Sequence, residues 1–478
     1  IYNLLLVLST AGLPLALSRL VSQAAAQGRR NSQRRIFRTA LALLAIVGLV
    51  CSAIMCLFPR LLSGLLHDSL AAPAIRTLGP AVLFVCLSSA IRGYTQGLGD
   101  MTPTAVSQVT ESAGKLVVGL ALCLALLHRG ASSAQCAAGA IAGVTAGALL
   151  SLAVLAVLLL RRRDTAPAAD TPPQRGTVLR ALLTAGIPIT LGAAGMSLIT
   201  LLDQALVMTT LQNTLGYTEE TATALYGEYT FGMTLFALPP SFIYPVTVSL
   251  VPDIAAALAR GDRAAARRST AAALRLTVLI ALPAGAGLSV LAGPILHLLY
   301  PAVPATAEAA AYHLTILGIA CIFVCLMVAT NGVLQAYGRE YIPVVTLLCG
   351  GALKVVTNYL MVGDPATNVR GAPVSTLYCY GLIVVLNLIA IARCVPERPS
   401  YFRLFGKPLL ITAVMALAAR SSYRLLLTVL PNRWAVLPAI IVAALVYAVL
   451  ALALGAVTRA DVAALPKGEK IARMLHLH

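Results

Sequence analysis

The sequence predicts an all-α, polytopic membrane protein with two parallel six-helix repeats followed by two further helices. Three observations predict this fold: apolar runs along the whole chain, an alternation of strongly and weakly basic loops, and an internal repeat. Of the 478 residues, 59% are hydrophobic and 11% are charged, whereas charged residues make up about 25% of an average soluble domain. A water-soluble fold of this composition would leave a large apolar surface in water.

The apolar runs predict thirteen membrane-spanning helices, because a helix of about 20 apolar residues crosses the hydrocarbon core of roughly 30 Å. The first block has five runs, near residues 1–24, 36–58, 78–98, 104–127 and 133–160. The second block has six runs, near residues 178–210, 222–250, 270–298, 308–336, 341–362 and 371–393. The last two runs lie near residues 402–425 and 434–457.

The loops between these runs predict the orientation, because Lys and Arg are retained on the cytoplasmic side of a membrane. One set of alternate loops carries 22 basic residues, and the opposite set carries five. The basic set includes the polar linker 161–177 and the tail 458–478, which we therefore expect in the cytoplasm. The formal net charge of +18 then reflects topology and attraction to anionic membrane lipids, and does not indicate nucleic-acid binding.

The two blocks resemble each other in sequence. The tetrapeptide Phe84–Leu87 recurs as Phe323–Leu326, 239 residues later. Further identical pairs with this offset are Gly93 and Gly332, Gln96 and Gln335, Gly99 and Gly338, and Lys115 and Lys354. Upstream, Gly28–Arg30 parallels Gly261–Arg263 at a slightly smaller offset. Because matched loops lie on the same predicted side, the repeats are parallel and related by an axis along the membrane normal.

The repeat also predicts the division of the chain. It places the first lobe at residues 1–160, the second lobe at 178–393 and two final helices at 394–457. The second block opens with the run 178–210, and the first-block partner of that run is expected upstream of Ile1. An intact protein would then have fourteen helices and both termini in the cytoplasm.

Three stretches of sequence carry a family resemblance. The first is Ile91–Gly97, which continues through Met101–Gln108. The others are Ala11–Pro14 with Ser18–Val21, and Leu225–Gly227. These stretches resemble the stage V sporulation protein B-like polysaccharide transporters. That family belongs to the multidrug/oligosaccharidyl-lipid/polysaccharide exporter superfamily and is related to the lipid II flippases.

The resemblance implies two six-helix lobes, arranged as a V, that open a central cavity alternately to each membrane face. It implies a flippase in a bacterial plasma membrane. The implied cargo is an undecaprenyl-pyrophosphate-linked oligosaccharide or a peptidoglycan precursor like lipid II, which moves to the outer leaflet. In the lipid II branch the first helix supplies charges to the cavity, and its counterpart here is the helix expected upstream of Ile1.

Charged side chains within the runs are candidate functional residues, because a charge at membrane depth costs about 2.5–3.5 kcal/mol on insertion scales. An anionic diphosphate needs positive charge or hydrogen-bond donors along its route. The predicted substrate-binding residues are Arg92, Lys115, Lys354, Asn331 and Arg19. Alternatively, Lys115 is half of a structural pair with Glu111, and Asn331 is an interhelical hydrogen bonder. Arg19 alternatively extends to the interface.

Three carboxylates within the runs, Glu111, Asp203 and Glu228, are candidates for ion coupling. An intramembrane carboxylate can bind Na⁺ or H⁺ and so link export to an ion gradient. Each of the three alternatively pairs with one of the basic residues.

Small residues and prolines predict packing and bends. Gly139, Gly143 and Gly147 form a G-x-x-x-G series, which allows two helices to approach closely. Bends are predicted at Pro14, Pro188, Pro239, Pro240 and Pro245, because proline interrupts the hydrogen-bond pattern of a helix.

The sequence predicts that the protein is not an enzyme and that it has neither a metal site nor a cofactor. The six histidines are scattered and nine of the ten cysteines lie in apolar runs, without a Ser/His/Asp or paired-carboxylate pattern. Two other classes stay open: a drug or organic-cation antiporter of the same superfamily, and a non-transporting scaffold for envelope or spore assembly. A cation antiporter favours a cavity dominated by carboxylates, and a scaffold has no need of Arg92 or Lys354 at membrane depth.

Overall fold

The computed structural model describes residues 6–7, 12–65, 71–161, 170–339, 341–395, 401–428 and 431–456. Throughout these ranges the regular secondary structure is helical and contains no strand. The all-α prediction is therefore confirmed. The predicted tail and residues 162–169 of the predicted linker lie outside the described residues.

The helices follow one another with short connections. Helices α1 to α7 are Gly12–Ala26, Arg30–Leu57, Pro59–Gly64, Ala72–Gly97, Thr102–His128, Ser133–Arg161 and Arg175–Thr209, and the π-helix Thr210–Thr214 continues α7. Helices α8 to α13 are Glu219–Phe236, Leu238–Ala259, Arg263–Val290, Ala292–Leu299, Pro304–Ala336 and Tyr341–Val362. A short 3₁₀ helix, Asn368–Arg370, precedes α14 at Gly371–Cys394, and α15 and α16 are Tyr401–Leu426 and Asn432–Ala453.

Ten helices in the described ranges are long and apolar enough to cross a membrane. They are α2, α4, α5, α6, α10, α12, α13, α14, α15 and α16. The chain is therefore a multi-pass membrane protein. The total of fourteen helices stays a prediction.

The run 270–298, expected as one helix, is divided into α10 and α11. Pro294 has no N–H group to bond the carbonyl of Val290, and its ring crowds that carbonyl. For this reason α10 ends at Val290 and a second, short helix begins at Ala292.

The run 222–250 is likewise divided, into α8 and α9. Pro240 cannot bond the carbonyl of Phe236, and α8 ends at that residue. The bend predicted at Pro239 and Pro240 is therefore a break between two helices.

The order of helices repeats along the chain. The series α2, short α3, α4, α5 and α6 recurs as α10, short α11, α12, α13 and α14. Both series open just after a glycine with positive φ, Gly28 at 68° and Gly261 at 74°, a conformation that glycine adopts without steric cost. Gly99 and Gly338, which the sequence repeat pairs, follow α4 and α12 with φ of 81° and 69°.

The chain divides into two compact units, Ile1–Ala205 and Leu206–His478. The boundary lies within α7, whereas the sequence repeat starts the second lobe at residue 178. Val178 and Leu182 near the start of α7 pack with Ile36 of α2 in the first unit. The assignment of all of α7 to the second lobe stays a prediction.

Candidate functional site

A polar cluster joins three helices of the first unit. Arg92 on α4 donates from Nε to Ser107 Oγ on α5, at 2.9 Å. Its Nη2 atom lies 2.8 Å from Ser151 Oγ on α6 and 2.8 Å from Glu111 Oε2 on α5. The side chains of Arg92 and Glu111 are each only 13% exposed. We call these residues, together with Lys115, the Arg92 cluster.

Lys115 is the most accessible charged member of the Arg92 cluster. Its Nζ lies 2.7 Å from Glu111 Oε1, and its side chain is 38% exposed. Glu111 therefore accepts from both cations, one at each carboxylate oxygen. Among the described residues Glu111 is the polar partner of Lys115, so the ammonium keeps two N–H donors for another group. Two cations and one carboxylate give the cluster a net charge of +1.

Lys115 lies at the midpoint of α5, which spans Thr102–His128. At a rise of 1.5 Å per residue, it is about 20 Å along the helix from Thr102. A cation at this depth is costly in a bilayer unless it has a partner or a wet environment. Glu111 supplies the partner, and the exposure of the side chain leaves room for a further ligand.

Close packing of α5 on α6 determines the position of Lys115. A Cβ atom on Gly147 would lie 2.5 Å from the Glu111 carbonyl oxygen and 2.9 Å from Lys115 Cγ. A Cβ atom on Gly143 would lie 2.5 Å from backbone atoms of Gly119. Two glycines of the predicted G-x-x-x-G series thus allow the backbones of α5 and α6 to touch.

The second unit has a matching cluster around Asn387 on α14. Asn387 Nδ2 donates to Thr330 Oγ1 at 3.0 Å and to Asn331 Oδ1 at 2.8 Å, both on α12. Asn387 Oδ1 accepts from Thr346 Oγ1 on α13, at 2.8 Å. We call these four residues the Asn387 cluster.

The two clusters occupy equivalent helix junctions in the repeat but differ in charge. Arg92 and Asn331 are related by the offset of 239 residues, as are Ser107 and Thr346. The described contacts of the first junction include an arginine and a carboxylate, and those of the Asn387 cluster join amides and hydroxyls. The Arg92–Glu111 ion pair therefore has a neutral counterpart in the second unit, whereas Lys115 has a lysine, Lys354, at the equivalent position.

The repeat mate of Lys115 has a different environment. Lys354 on α13 is only 4% exposed and has an interaction partner. Asp203 on α7 is also buried, at 2% exposure, and is engaged in an interaction.

The remaining predicted residues lie apart from both clusters. Arg19 is exposed on α1. Glu228 is half-buried on α8 and interacts electrostatically with Arg370 of the 3₁₀ helix. Within the described residues, no group of three or more His, Cys, Asp or Glu side chains could hold a metal ion.

Five hydroxyl and amide residues were missed by sequence reasoning: Ser107, Ser151, Thr330, Thr346 and Asn387. Each is nearly or fully buried, but serine, threonine and asparagine are common in membrane helices and do not stand out in an apolar run. The repeat offset relates Ser107 to Thr346 and could have identified that pair. Ser151 and Asn387 differ from the offset by three residues, and only the folded arrangement relates them.

The family model for polysaccharide biosynthesis proteins matches residues 1–257, more than half of the chain. The chain belongs to the polysaccharide biosynthesis protein family. A second family model, MatE, matches residues 188–360 of this polysaccharide biosynthesis family member. Both matches agree with the resemblance found in the sequence and place the chain in the multidrug/oligosaccharidyl-lipid/polysaccharide exporter superfamily.

Three Bacillus subtilis proteins are similar to this family member along most of their length. The uncharacterized membrane protein YabM is 26% identical over 86% of this chain and 76% of its own. Stage V sporulation protein B is 25% identical over 81% of this chain and 74% of its own. The lipid II flippase MurJ of the same bacterium is also similar, at 23% identity over 80% of this chain and 74% of its own. Together with the two family models, these relatives show that the chain is a transporter of the flippase and exporter type, and not an enzyme.

Two solved structures have the same fold. An inward-facing multidrug resistance MATE transporter superimposes with a TM-score of 0.67 and 16% identity, over 83% of this chain and 88% of its own. The inward closed lipid II flippase MurJ superimposes with a TM-score of 0.65 and 14% identity, over 95% of this chain and 96% of its own. The polysaccharide biosynthesis family member therefore has a fold common to drug transporters and lipid flippases.

Proposed function

We propose that this transporter flips an undecaprenyl-pyrophosphate-linked oligosaccharide or peptidoglycan precursor from the cytoplasmic to the outer leaflet by alternating access. The proposal rests on the position of Lys115. This cation lies midway along α5, its side chain is 38% exposed, and two of its N–H donors are available to a further ligand. A diphosphate is the group of such a cargo that most needs a cation on its route, because its desolvation is otherwise prohibitive.

The internal repeat supports a role in function for this charge. The Asn387 cluster has neutral groups in place of the Arg92–Glu111 ion pair, whereas both repeats have a lysine at the position of Lys115. Arg92 is held by Ser107, Glu111 and Ser151. In this proposal Lys115 contacts the phosphate, while Arg92 and Glu111 fix its position. Lys354, Asn331 and Arg19 remain proposed cargo contacts elsewhere on the route.

A second candidate function is export of drugs or organic cations, favoured by the MatE match over residues 188–360. The matched range contains Asp203 and Glu228, the two candidate ion-coupling carboxylates that lie outside the Arg92 cluster. In either function these residues are the proposed sites for Na⁺ or H⁺ coupling. The location proposed is a bacterial plasma membrane, with both termini in the cytoplasm and the lobes at 1–160 and 178–393.

The test is reconstitution of the full chain in liposomes with a fluorescent undecaprenyl-pyrophosphate-linked disaccharide, whose exposure in each leaflet is measured. We expect flipping by the parent and a loss of about tenfold in rate for Lys115→Ala, the equivalent of about 1.4 kcal/mol. Lys115→Arg keeps the charge and should retain most of the rate. Lys407→Ala is the control, since Lys407 is exposed and bonds only the Leu454 carbonyl among the described residues.

A parallel assay in the same liposomes measures export of a lipophilic organic cation. If the folded parent moves the cation and leaves the lipid-linked sugar in its original leaflet, the flippase proposal is wrong and the second candidate replaces it. Equal flipping by Lys115→Ala and the parent would remove Lys115 from the cargo route.

A further inference from the structure

Helix α2 has a capping residue that is distant in sequence. Its N-cap position is Arg29, whose side chain makes no capping hydrogen bond. Asp170, in the linker before α7, supplies the missing acceptors. Its Oδ1 accepts from the Asn31 N–H at 2.8 Å, and its Oδ2 accepts from the Ser32 N–H at 2.9 Å and the Ser32 hydroxyl at 2.7 Å. The Asn31 side-chain amide donates to the Asp170 carbonyl, at 2.9 Å.

The repeat mate of α2 is capped by its own sequence. Helix α10 has Asp262 at the N-cap, and Asp262 Oδ1 accepts from the Ala265 N–H at 2.9 Å. In the sequence repeat, Arg29 stands where the second block has Asp262. The free N–H groups of a helix start need an acceptor, and in the first unit that acceptor comes from a residue 138 positions away from Ser32.

The contact continues from the linker into α7. Val178 and Leu182, which lie 8 and 12 residues beyond Asp170 in the first turns of α7, pack with Ile36 and Ala40 of α2. Further along α7, the Thr190 hydroxyl accepts from the Gly12 N–H at 3.2 Å. Asp170 is thus the first of a series of contacts that hold the linker end and the start of α7 on α1 and α2.

We propose that Asp170 is a clasp that fastens the linker and the start of α7 to α2 and stabilises the conformation seen here relative to others of the transport cycle. The replacement of a local cap by a distant one couples the integrity of α2 to the position of the linker. A purely local cap such as Asp262 has no such effect. The part of the proposal that concerns the cycle rests on the proposed transport function.

The test separates capping from clasping in the purified full chain in lipid nanodiscs. Asp170→Ala removes both, and Asp170→Ala with Arg29→Asp restores a local cap like that of α10. Thermal unfolding reports the cap, and hydrogen–deuterium exchange of residues 170–185 reports the clasp. We expect Asp170→Ala to lower the Tm and to raise exchange about fivefold. The double variant should recover the Tm but keep the raised exchange.

Exchange at the parental level in either variant would overturn the clasp, because the linker would then stay docked without Asp170. A transport assay with the fluorescent lipid-linked disaccharide tests the link to the cycle. A double variant with recovered Tm and a turnover changed by about twofold or more would support it, and parental turnover would overturn it. If the parent itself moves no lipid, the proposed function fails, while the exchange result still decides the clasp.

Discussion

Arg92 is the residue on which the first polar cluster depends. Its guanidinium makes three side-chain hydrogen bonds to α5 and α6, whereas each serine partner makes one of them. Interhelical hydrogen bonds in membranes contribute about 0.6 kcal/mol on average. The loss of one such bond therefore lowers the free energy of unfolding only slightly, whereas the loss of the guanidinium removes three bonds at once and lowers it more.

For this reason we expect Ser151→Ala to lower the free energy of unfolding by about 0.6 kcal/mol and Arg92→Ala to lower it by about 3 kcal/mol, because the latter leaves Glu111 with a single partner. Thermal unfolding in detergent with a matched set of variants checks the order. An Arg92→Ala protein as stable as Ser151→Ala would contradict the role of Arg92 as the central residue.

The contribution of Asp170 to the stability of the fold depends on pH. Desolvation raises the pKa of this carboxyl, but hydrogen bonds from the Ser32 hydroxyl and the N–H groups of Asn31 and Ser32 outweigh that effect, and the pKa lies below its usual value. A carboxyl with a lowered pKa in the folded state stabilises the fold above its unfolded pKa of about 3.9. Its contribution disappears as the pH falls through the lowered value.

The parent should therefore keep its clasp from neutral pH down to about pH 4 and lose it below that range. The measurement is the Tm of the parent and of Asp170→Asn as a function of pH. The difference between them should be constant at neutral pH and shrink as acid protonates Asp170. A difference that grew with acidification would show that Asp170 acts in its protonated form.

At the scale of the element, the contact between α5 and α6 depends on glycines, which have no side chain to separate the two backbones. Gly143 faces backbone atoms of Gly119 so closely that a Cβ atom would lie 2.5 Å away. By contrast, a Cβ atom on Gly287 in α10 would have no neighbour within 4 Å. The same substitution at the two glycines therefore has opposite effects.

Gly143→Ala should force α5 and α6 apart and lower the free energy of unfolding by about 1–3 kcal/mol. Gly287→Ala should be neutral or stabilising by up to about 1 kcal/mol, because alanine is the better helix former. Unfolding by denaturant in mixed micelles compares the two variants. Equal stability would mean that the helices separate at no cost, contrary to the close packing.

At the scale of the whole molecule, the repeat supplies a test of charge against packing. A triple variant, Arg92→Asn with Glu111→Gln and Lys115→Gln, gives the first unit a neutral cluster like that around Asn387. Replacement of buried ionic groups by neutral groups of similar size is often harmless to stability. We expect a Tm near that of the parent and a loss of flipping.

The control is the double variant Arg92→Asn with Glu111→Gln, which keeps Lys115 and the net charge of +1. It should retain part of the flipping rate, measured with the same lipid-linked disaccharide. Full activity of the triple variant would show that the charge of the Arg92 cluster has no part in transport.

The sequence by itself determined the helical class, the membrane environment and the repeat, because these depend on run lengths and on identities at a fixed offset. The predicted run 341–362 agrees with α13 to the residue, and the i, i+4 spacing of Glu111 and Lys115 was sufficient to predict their pair, since one helix places both on one face. The break at Leu291 was missed, although Pro294 is visible, because the surrounding apolar run continues through it. The break at Ala237 was predicted only as a bend at Pro239 and Pro240 within one continuous run.

Only the tertiary structure decided which polar residues meet. Ser107 and Ser151 reach Arg92 from two other helices, and Asp170 reaches α2 across 138 residues of sequence. No local pattern encodes such contacts, because they depend on how helices cross and on which faces are buried. The difference in exposure between Lys115 and its repeat mate Lys354 has the same origin: equivalent positions in the sequence repeat acquire different neighbours once each unit has packed.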